Sequence, residues 1–212
     1  MSAKAFLTEE EQQRIMDCVK EVEKTTSGEI VPVIADVSHH YPSAEALSSM
    51  LFAMVTGLGV CELWGRTDMW TYLAVFLGLN LGFQFLVKAV PILKKPFVGK
   101  RRMREEVAEG AMTAFYGNGL HRTRDETGII IYVSVYERMV QVLADKGIND
   151  KIDTGVWEEV VENLTKAIQD GKPADGICAA VRRCGELVAR EFPIKHDDTD
   201  ELPNLIVNGK IQ

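Results

Sequence analysis

Asp36, Asp145 and Asp150, with Asn149 and Asp153 beside them, are the side chains of this chain best suited to chemistry. Asp36 closes a β-branched run over residues 29–37, and Asp145 closes another over 139–144. Asn149, Asp150 and Asp153 follow in the next loop. Strand ends in α/β folds often converge on one rim. Carboxylates gathered there offer the oxygen ligands that Ca²⁺ or Mg²⁺ prefer, and a cation so held polarises a phosphoryl group. The expectation is a metal site built from Asp36, Asp145 and Asp150. The competing account is local: Asp and Asn close turns and cap helices through bonds to nearby backbone, and Asp153-Thr154 has the form of a helix start.

The familiar catalytic signatures are missing. The sequence has no H-E-x-x-H, no G-x-x-x-x-G-K-[ST] and no G-x-S-x-G. Gly57-Leu58-Gly59 sits inside an apolar helix, and Gly117-Asn118-Gly119 reads as a helix stop. His39-His40 is either polar linker or a titrating pair at a membrane surface. His121 lies in a charged loop and His196 near the end. The cysteines, Cys18, Cys61, Cys178 and Cys184, have no C-x-x-C spacing, which leaves free thiols in a reducing compartment as the reading. A net charge of -7 argues against nucleic acid as a partner.

The elements that must position these residues follow from periodicity. Thr8 and Glu11 form a capping box ahead of a helix carrying Ile15, Val19 and Val22. Residues 29–37 (E-I-V-P-V-I-A-D-V) are a strand, in which Pro32 argues for an edge or a bulge. A helix is expected over 101–115. Residues 126–134 form an unbroken apolar strand, expected near the sheet centre. Tyr136-Glu137-Arg138 turns it back into 139–144 as an antiparallel hairpin. Two closing helices follow, one with Trp157, Val160, Leu164 and Ile168 on a single face, the other over 174–192. Residues 193–212 look loosely ordered. The N-terminal residues have no apolar core fit for a signal peptide.

Between the first strand and the helix at 101 the composition changes. Residues 46–61 carry no charge for 16 positions and residues 69–87 none for 19. A 19-residue helix spans about 28 Å, close to the roughly 30 Å hydrocarbon core of a bilayer. Gly65-Arg66-Thr67-Asp68 is the turn, with Trp64, Trp70 and Tyr72 at interfacial depth. This is expected to be a transmembrane helical hairpin that acts as its own insertion signal. Lys88, Lys94, Lys95, Lys100, Arg101, Arg102 and Arg104 follow it, whereas the turn has only Arg66, so both termini are expected in the cytoplasm. Ser49, Ala53, Gly57 and Cys61 recur every four positions, as do Ala74, Gly78 and Gly82, and the two stripes are expected to pack on each other. Asn80 and Gln84 either meet a partner helix or bond back to their own hairpin.

The order of elements resembles the TPM domain family. The resemblance rests on Leu7-Thr8-x-x-Glu11 and Ser27-Gly28-Glu29-Ile30-Val31-x-Val33, then Thr127-Gly128-Ile129-Ile130-Ile131-Tyr132-Val133-Ser134. It continues through Glu137-Arg138-x-Val140-x-Val142, Gly147-Ile148, the helix from Trp157 to Ile168, Gly171, Gly176 and Ala179-Ala180. It implies an α/β/α sandwich around a small mixed sheet. It implies no single activity, because members include acid phosphatases, binders of divalent cations and accessory factors of membrane complexes. Two departures stand out: the helix pair interrupts the domain after its first strand, and the usual Gly-x-Gly-Leu reads Asp145-Lys146-Gly147-Ile148.

The expected organisation is therefore residues 1–43 and 92–192 as the two parts of a TPM-like α/β domain, 44–91 as the transmembrane hairpin, and 193–212 as the tail. The expected function is an accessory, assembly or quality-control factor in contact with lipid and with other membrane proteins or a second copy of itself. The alternative is a divalent-metal-dependent, acid-phosphatase-like enzyme using Ca²⁺ or Mg²⁺.

Overall fold

The computed structural model describes residues 3–66, 68–153, 155–194 and 202–211. Thr67 of the expected turn, Thr154 of the expected helix start and His196 lie outside them. In chain order the elements are α1 (Ala3–Phe6), α2 (Glu9–Glu23), β1 (Glu29–Ala35), α3 (Pro42–Leu63), α4 (Met69–Ala89), α5 (Lys100–Gly117), β2 (Gly128–Ser134), β3 (Met139–Ala144), α6 (Lys146–Asn149), α7 (Gly155–Gln169), α8 (Pro173–Ala189), β4 (Ile206–Val207) and β5 (Lys210–Ile211). They form two units, one of Met1–His39 with Arg104–Gln212, the other of His40–Met103.

The first unit is a mixed α/β layer structure around a five-stranded sheet of order β3-β2-β1-β4-β5. β1 runs parallel to both β2 and β4, and the β2–β3 and β4–β5 pairs are antiparallel. Side chains alternate across the sheet, as its period of two requires. Ile30, Ile34, Ile129, Ile131 and Val133 meet the apolar faces of α2, α7 and α8. Val31, Val33, Ile130 and Tyr132 point the other way, against Val107, Ala111 and Phe115 of α5. The capping box forms as expected, with Thr8 Oγ1 accepting from Glu11 N at 3.2 Å and Thr8 N donating to Glu11 Oε2 at 2.8 Å.

Pro32 does not put β1 at the sheet edge, because β1 lies between β2 and β4. Ile30 N donates to Glu23 Oε1 and Ile34 O accepts from Asn208 N, so the even positions of β1 face the β4 side. β4 pairs only with Val33 and Ile34. The missing N–H of Pro32 therefore falls where β4 is absent, and no ladder bond is lost.

Residues 206–211 also depart from expectation. Instead of belonging to a loosely ordered tail, Leu205, Ile206 and Val207 are buried, and β4 and β5 close the sheet as a two-residue hairpin. Its turn, Asn208-Gly209, has φ of 50° and 71°, the double positive that Asn-Gly supplies.

The second unit contains α3 and α4, both long and apolar enough to span a membrane. They pack as a hairpin through half of the expected interface. Ser49, Ala53, Gly57 and Cys61 are buried, and a methyl added at Gly57 would lie 3.4 Å from Tyr72. Phe52 and Phe83 face each other at 5.7 Å between ring centroids. On α4 the expected stripe is wrong: nothing lies within 4 Å of a methyl built on Gly78 or Gly82. The α4 side of the contact is aromatic and aliphatic, with Tyr72, Phe76 and Leu79 reaching Gly57. Small residues on one helix make room for large ones on the other. Gln84 Nε2 donates to Asn80 Oδ1 at 3.0 Å, so the two amides satisfy each other in part along α4, and Asn80 Nδ2 is buried without a partner among the described residues. Lys94, one of the basic residues after the hairpin, is turned inward. Its Nζ lies 2.6 Å from Glu45 Oε1 and donates to His40 O at 2.7 Å.

Candidate functional site

The structure separates the three carboxylates expected to share a cation. Asp36 follows β1 at the end where Ala35 pairs with Ser134. Asp145 follows β3 at the opposite end, where its N–H donates to Gly128 O at 2.8 Å. The length of β2, residues Gly128–Ser134, lies between them, which at about 3.3 Å per residue amounts to roughly 20 Å. The cause is the antiparallel return of β3, which carries its C-terminus back to the start of β2. Asp150 follows α6 and is exposed. Among the described residues, no three His, Cys, Asp or Glu side chains surround one point. The local account holds for several of these residues. Asp145 Oδ1 accepts from Lys146 N at 2.7 Å and Asp153 Oδ1 from Gly155 N at 2.9 Å. Asn149 Nδ2 donates to Ala144 O at 2.6 Å. Asp36 and Asn208 bond twice, Asp36 N donating to Asn208 Oδ1 at 2.8 Å and Asn208 Nδ2 donating to Asp36 Oδ2 at 2.7 Å.

Asp36 instead helps to line a cleft of about 590 Å³ within the first unit, between α5 and the carboxyl ends of the parallel strands. Ligands of open α/β sheets bind at such ends. Ser38 and His39 come from the segment after β1, Glu106 and Glu109 from one side of α5, Tyr132 from β2 and Asn208 from the last turn. His39 Nδ1 lies 3.9 Å from Glu106 Oε1. Among the described residues, three carboxylates line the cleft and no lysine or arginine does, so its surface suits a cationic or hydrogen-bond-donating group.

The cleft floor is held by a polar network. Tyr132 Oη and Ser38 Oγ are 3.2 Å apart. Ser38 N donates to both carboxylate oxygens of Glu137 at 3.3 Å, and Ser134 Oγ donates to the same carboxylate. Burial pushes the Tyr132 phenol above its usual range; the bond to Ser38 opposes this and the Glu137 charge adds to it. Gly110 permits the close approach of α5, because a methyl there would sit 2.8 Å from Tyr132 Oη. Residue patterns did not single out Ser38, Glu106, Glu109, Tyr132 or Asn208. The available signal was the spacing of Glu106 and Glu109, neighbours on one helical face.

At the other end of the sheet a tight backbone junction forms. A methyl on Gly147 would meet Asp125 O at 2.6 Å and Glu126 O at 2.8 Å, and one on Gly128 would meet Leu120 O at 2.4 Å. Beside this junction Asp145 Oδ2 is buried without a hydrogen-bond partner among the described residues.

A family model described as the TPM domain matches residues 82–187. Among solved structures, the chain is similar to the BA42 protein of the psychrophilic bacterium Bizionia argentinensis, determined by NMR, at 24% sequence identity and a TM-score of 0.57. The likeness covers 95% of this chain and 94% of that one, and at this identity it concerns the fold. No curated protein matches the chain.

Proposed function

Because this chain belongs to the TPM domain family, we propose that it is a membrane-anchored TPM protein acting as an accessory, assembly or quality-control factor for membrane components. The hairpin of α3 and α4 spans the bilayer, both termini are cytoplasmic, and the turn at Arg66 is outside.

One observation carries this reading. Large apolar side chains on both helices point away from the protein, including Leu63 at 88%, Phe85 at 76% and Trp70 at 73% exposure. Burying each such side chain is worth about 1.5–3 kcal/mol, and lipid offers that burial to the whole stripe. The domain's motifs are not those of a known catalytic site, and its cleft is acidic, which suits recognition of basic groups on a partner.

The test has two parts. The chain should stay with membranes through an alkaline carbonate wash, and Arg66→Cys should react with an impermeant maleimide added to intact cells. Extraction in mild detergent should then yield the chain in a complex larger than a monomer. Release by the wash, or labelling only after lysis, overturns the anchor; a lone monomer after gentle extraction overturns the accessory role.

A second reading has its own support, the buried Asp145 Oδ2 that has no hydrogen-bond partner among the described residues, two residues before Gly147, whose backbone packs on the Asp125 and Glu126 carbonyls. Oxygen donors of this kind fit Ca²⁺ or Mg²⁺, which would supply electrostatic polarisation of a bound phosphoryl group. Asp36 and Asp150 take no part in it. A Ca²⁺- or Mg²⁺-dependent rise in melting temperature that Asp145→Asn removes supports this reading; identical melts with and without the cations end it.

A further inference from the structure

Cys18 on α2 and Cys178 on α8 are 160 residues apart in sequence and meet across the packed helices. Cys18 Sγ lies 3.6 Å from Cys178 O, and Cys178 Sγ lies 3.9 Å from Arg14 O, one turn before Cys18 on α2. Each thiol thus donates to a backbone carbonyl of the facing helix, which brings the two side chains to the same contact. Both are buried, at 4% and 5% exposure. The same helix pair is tied at its rim by Arg14 and Asp175 at 2.8 Å. We propose that Cys18 and Cys178 are a redox-active thiol pair that oxidises to a disulfide, reversibly stapling the part of the domain before the hairpin to the part after it.

The neighbouring Cys178 side chain, with Arg182 and Arg14 nearby, holds the Cys18 thiol below its usual range against burial and Glu21. In the step below Cys18 is the attacking thiolate and Cys178 the resolving thiol; the reverse order balances equally. With hydrogen peroxide as oxidant the sequence balances. The Cys18 thiolate attacks one peroxide oxygen, breaking the O–O bond, and the hydroxide released takes up a proton to leave water. Cys18 is now a sulfenic acid. Cys178 sulfur attacks the Cys18 sulfur, its proton leaves with the departing hydroxyl as a second water, and the S–S bond forms. Two thiols are oxidised and one peroxide is reduced to two waters. Peroxide is small enough to reach the pair during local opening of α2 from α8.

The remaining cysteines are internal controls. Cys184 is buried on α8, where burial pushes its thiol up to about 12, and Cys61 is in α3. The experiment treats the full-length chain in mild detergent with a slight excess of hydrogen peroxide and maps its peptides by mass spectrometry without reduction. The expected result is a loss of two hydrogens per chain, located in one linked peptide pair containing Cys18 and Cys178 and reversed by dithiothreitol. The link should persist when Cys61 and Cys184 are both replaced by serine. Because Cys18→Ser changes a buried site, the decisive reading is the wild-type peptide map. An unlinked map, a link through Cys61 or Cys184, or irreversible sulfinic acid at Cys18 beside an intact Cys178 thiol overturns the proposal.

Discussion

Replacing Lys94 by methionine should destabilise the hairpin unit more than a surface charge change would. The Lys94 and Glu45 side chains are only 7% and 19% exposed, and Nζ is 2.6 Å from Oε1 and 2.7 Å from His40 O. Lys94→Met leaves the Glu45 carboxylate and the His40 carbonyl without their donor. Removing one member of a fully buried pair costs about 3–5 kcal/mol, and the partial exposure of Glu45 brings the expectation here to about 2–4 kcal/mol. Replacing both partners with methionine removes the stranded charge as well as the pair, so the double variant should recover most of the loss. The assay is thermal unfolding of the full chain in mild detergent, followed by tryptophan fluorescence for Lys94→Met, Glu45→Met and the double variant. A single variant that melts with the wild type refutes the reasoning. So does a double variant as unstable as the worse single one, because the cost would then come from lost packing rather than from an unpaired charge.

Other expectations concern the sheet unit. Gly147→Ala should cost about 1–3 kcal/mol in a denaturant titration, since its methyl would press on the carbonyls of Asp125 and Glu126. Gly209→Ala places a side chain at φ 71° and should lose about 1 kcal/mol, with faster hydrogen exchange at Asn208 N as β4 loosens from β1. Tyr132, raised above its ordinary value of 10.0, keeps its proton in the folded state longer than in the unfolded one. Its contribution to stability is therefore complete below about pH 10 and declines as pH rises through the folded value. Tyr132→Phe should flatten that alkaline decline in chemical-unfolding curves taken across it; an unchanged slope counts against the buried phenol.

The elements carried by strong local patterns were legible in the residues. The branched runs of β1 and β2, the capping box of Thr8 and Glu11 and the two uncharged stretches within α3 and α4 each need only neighbours in sequence to be recognised. β4 has two residues, too few for any periodicity, yet Asn208-Gly209 between Ile206-Val207 and Lys210-Ile211 was a readable hairpin signal. The acidic rim failed for a reason already present in the sequence. An antiparallel β2–β3 hairpin must return the end of β3 to the beginning of β2, away from Asp36. The small-residue stripes were visible on both helices, but which face of α4 meets α3 depends on how Tyr72, Phe76 and Leu79 fill the space beside Gly57. Apart from the Glu106–Glu109 spacing the cleft left no local trace, since Ser38 reaches Tyr132 and Glu137 across 94 and 99 residues.

The parallel pairing of β1 with β2 sets a timetable for the newborn polypeptide. β1 ends at Ala35, and its long neighbour, β2, finishes at Ser134. At about 5–20 residues per second, the ribosome takes roughly 5–20 s to supply that neighbour, with the apolar hairpin emerging in the interval. Throughout that time β1, destined for burial on both faces, has no ladder and no cover. A bare segment of this kind invites pairing with other chains, so the cell must either shield it or make the intervening helices depart quickly into their own surroundings. Anything that stalls translation between residues 35 and 134 should therefore surface first as aggregation of nascent chains.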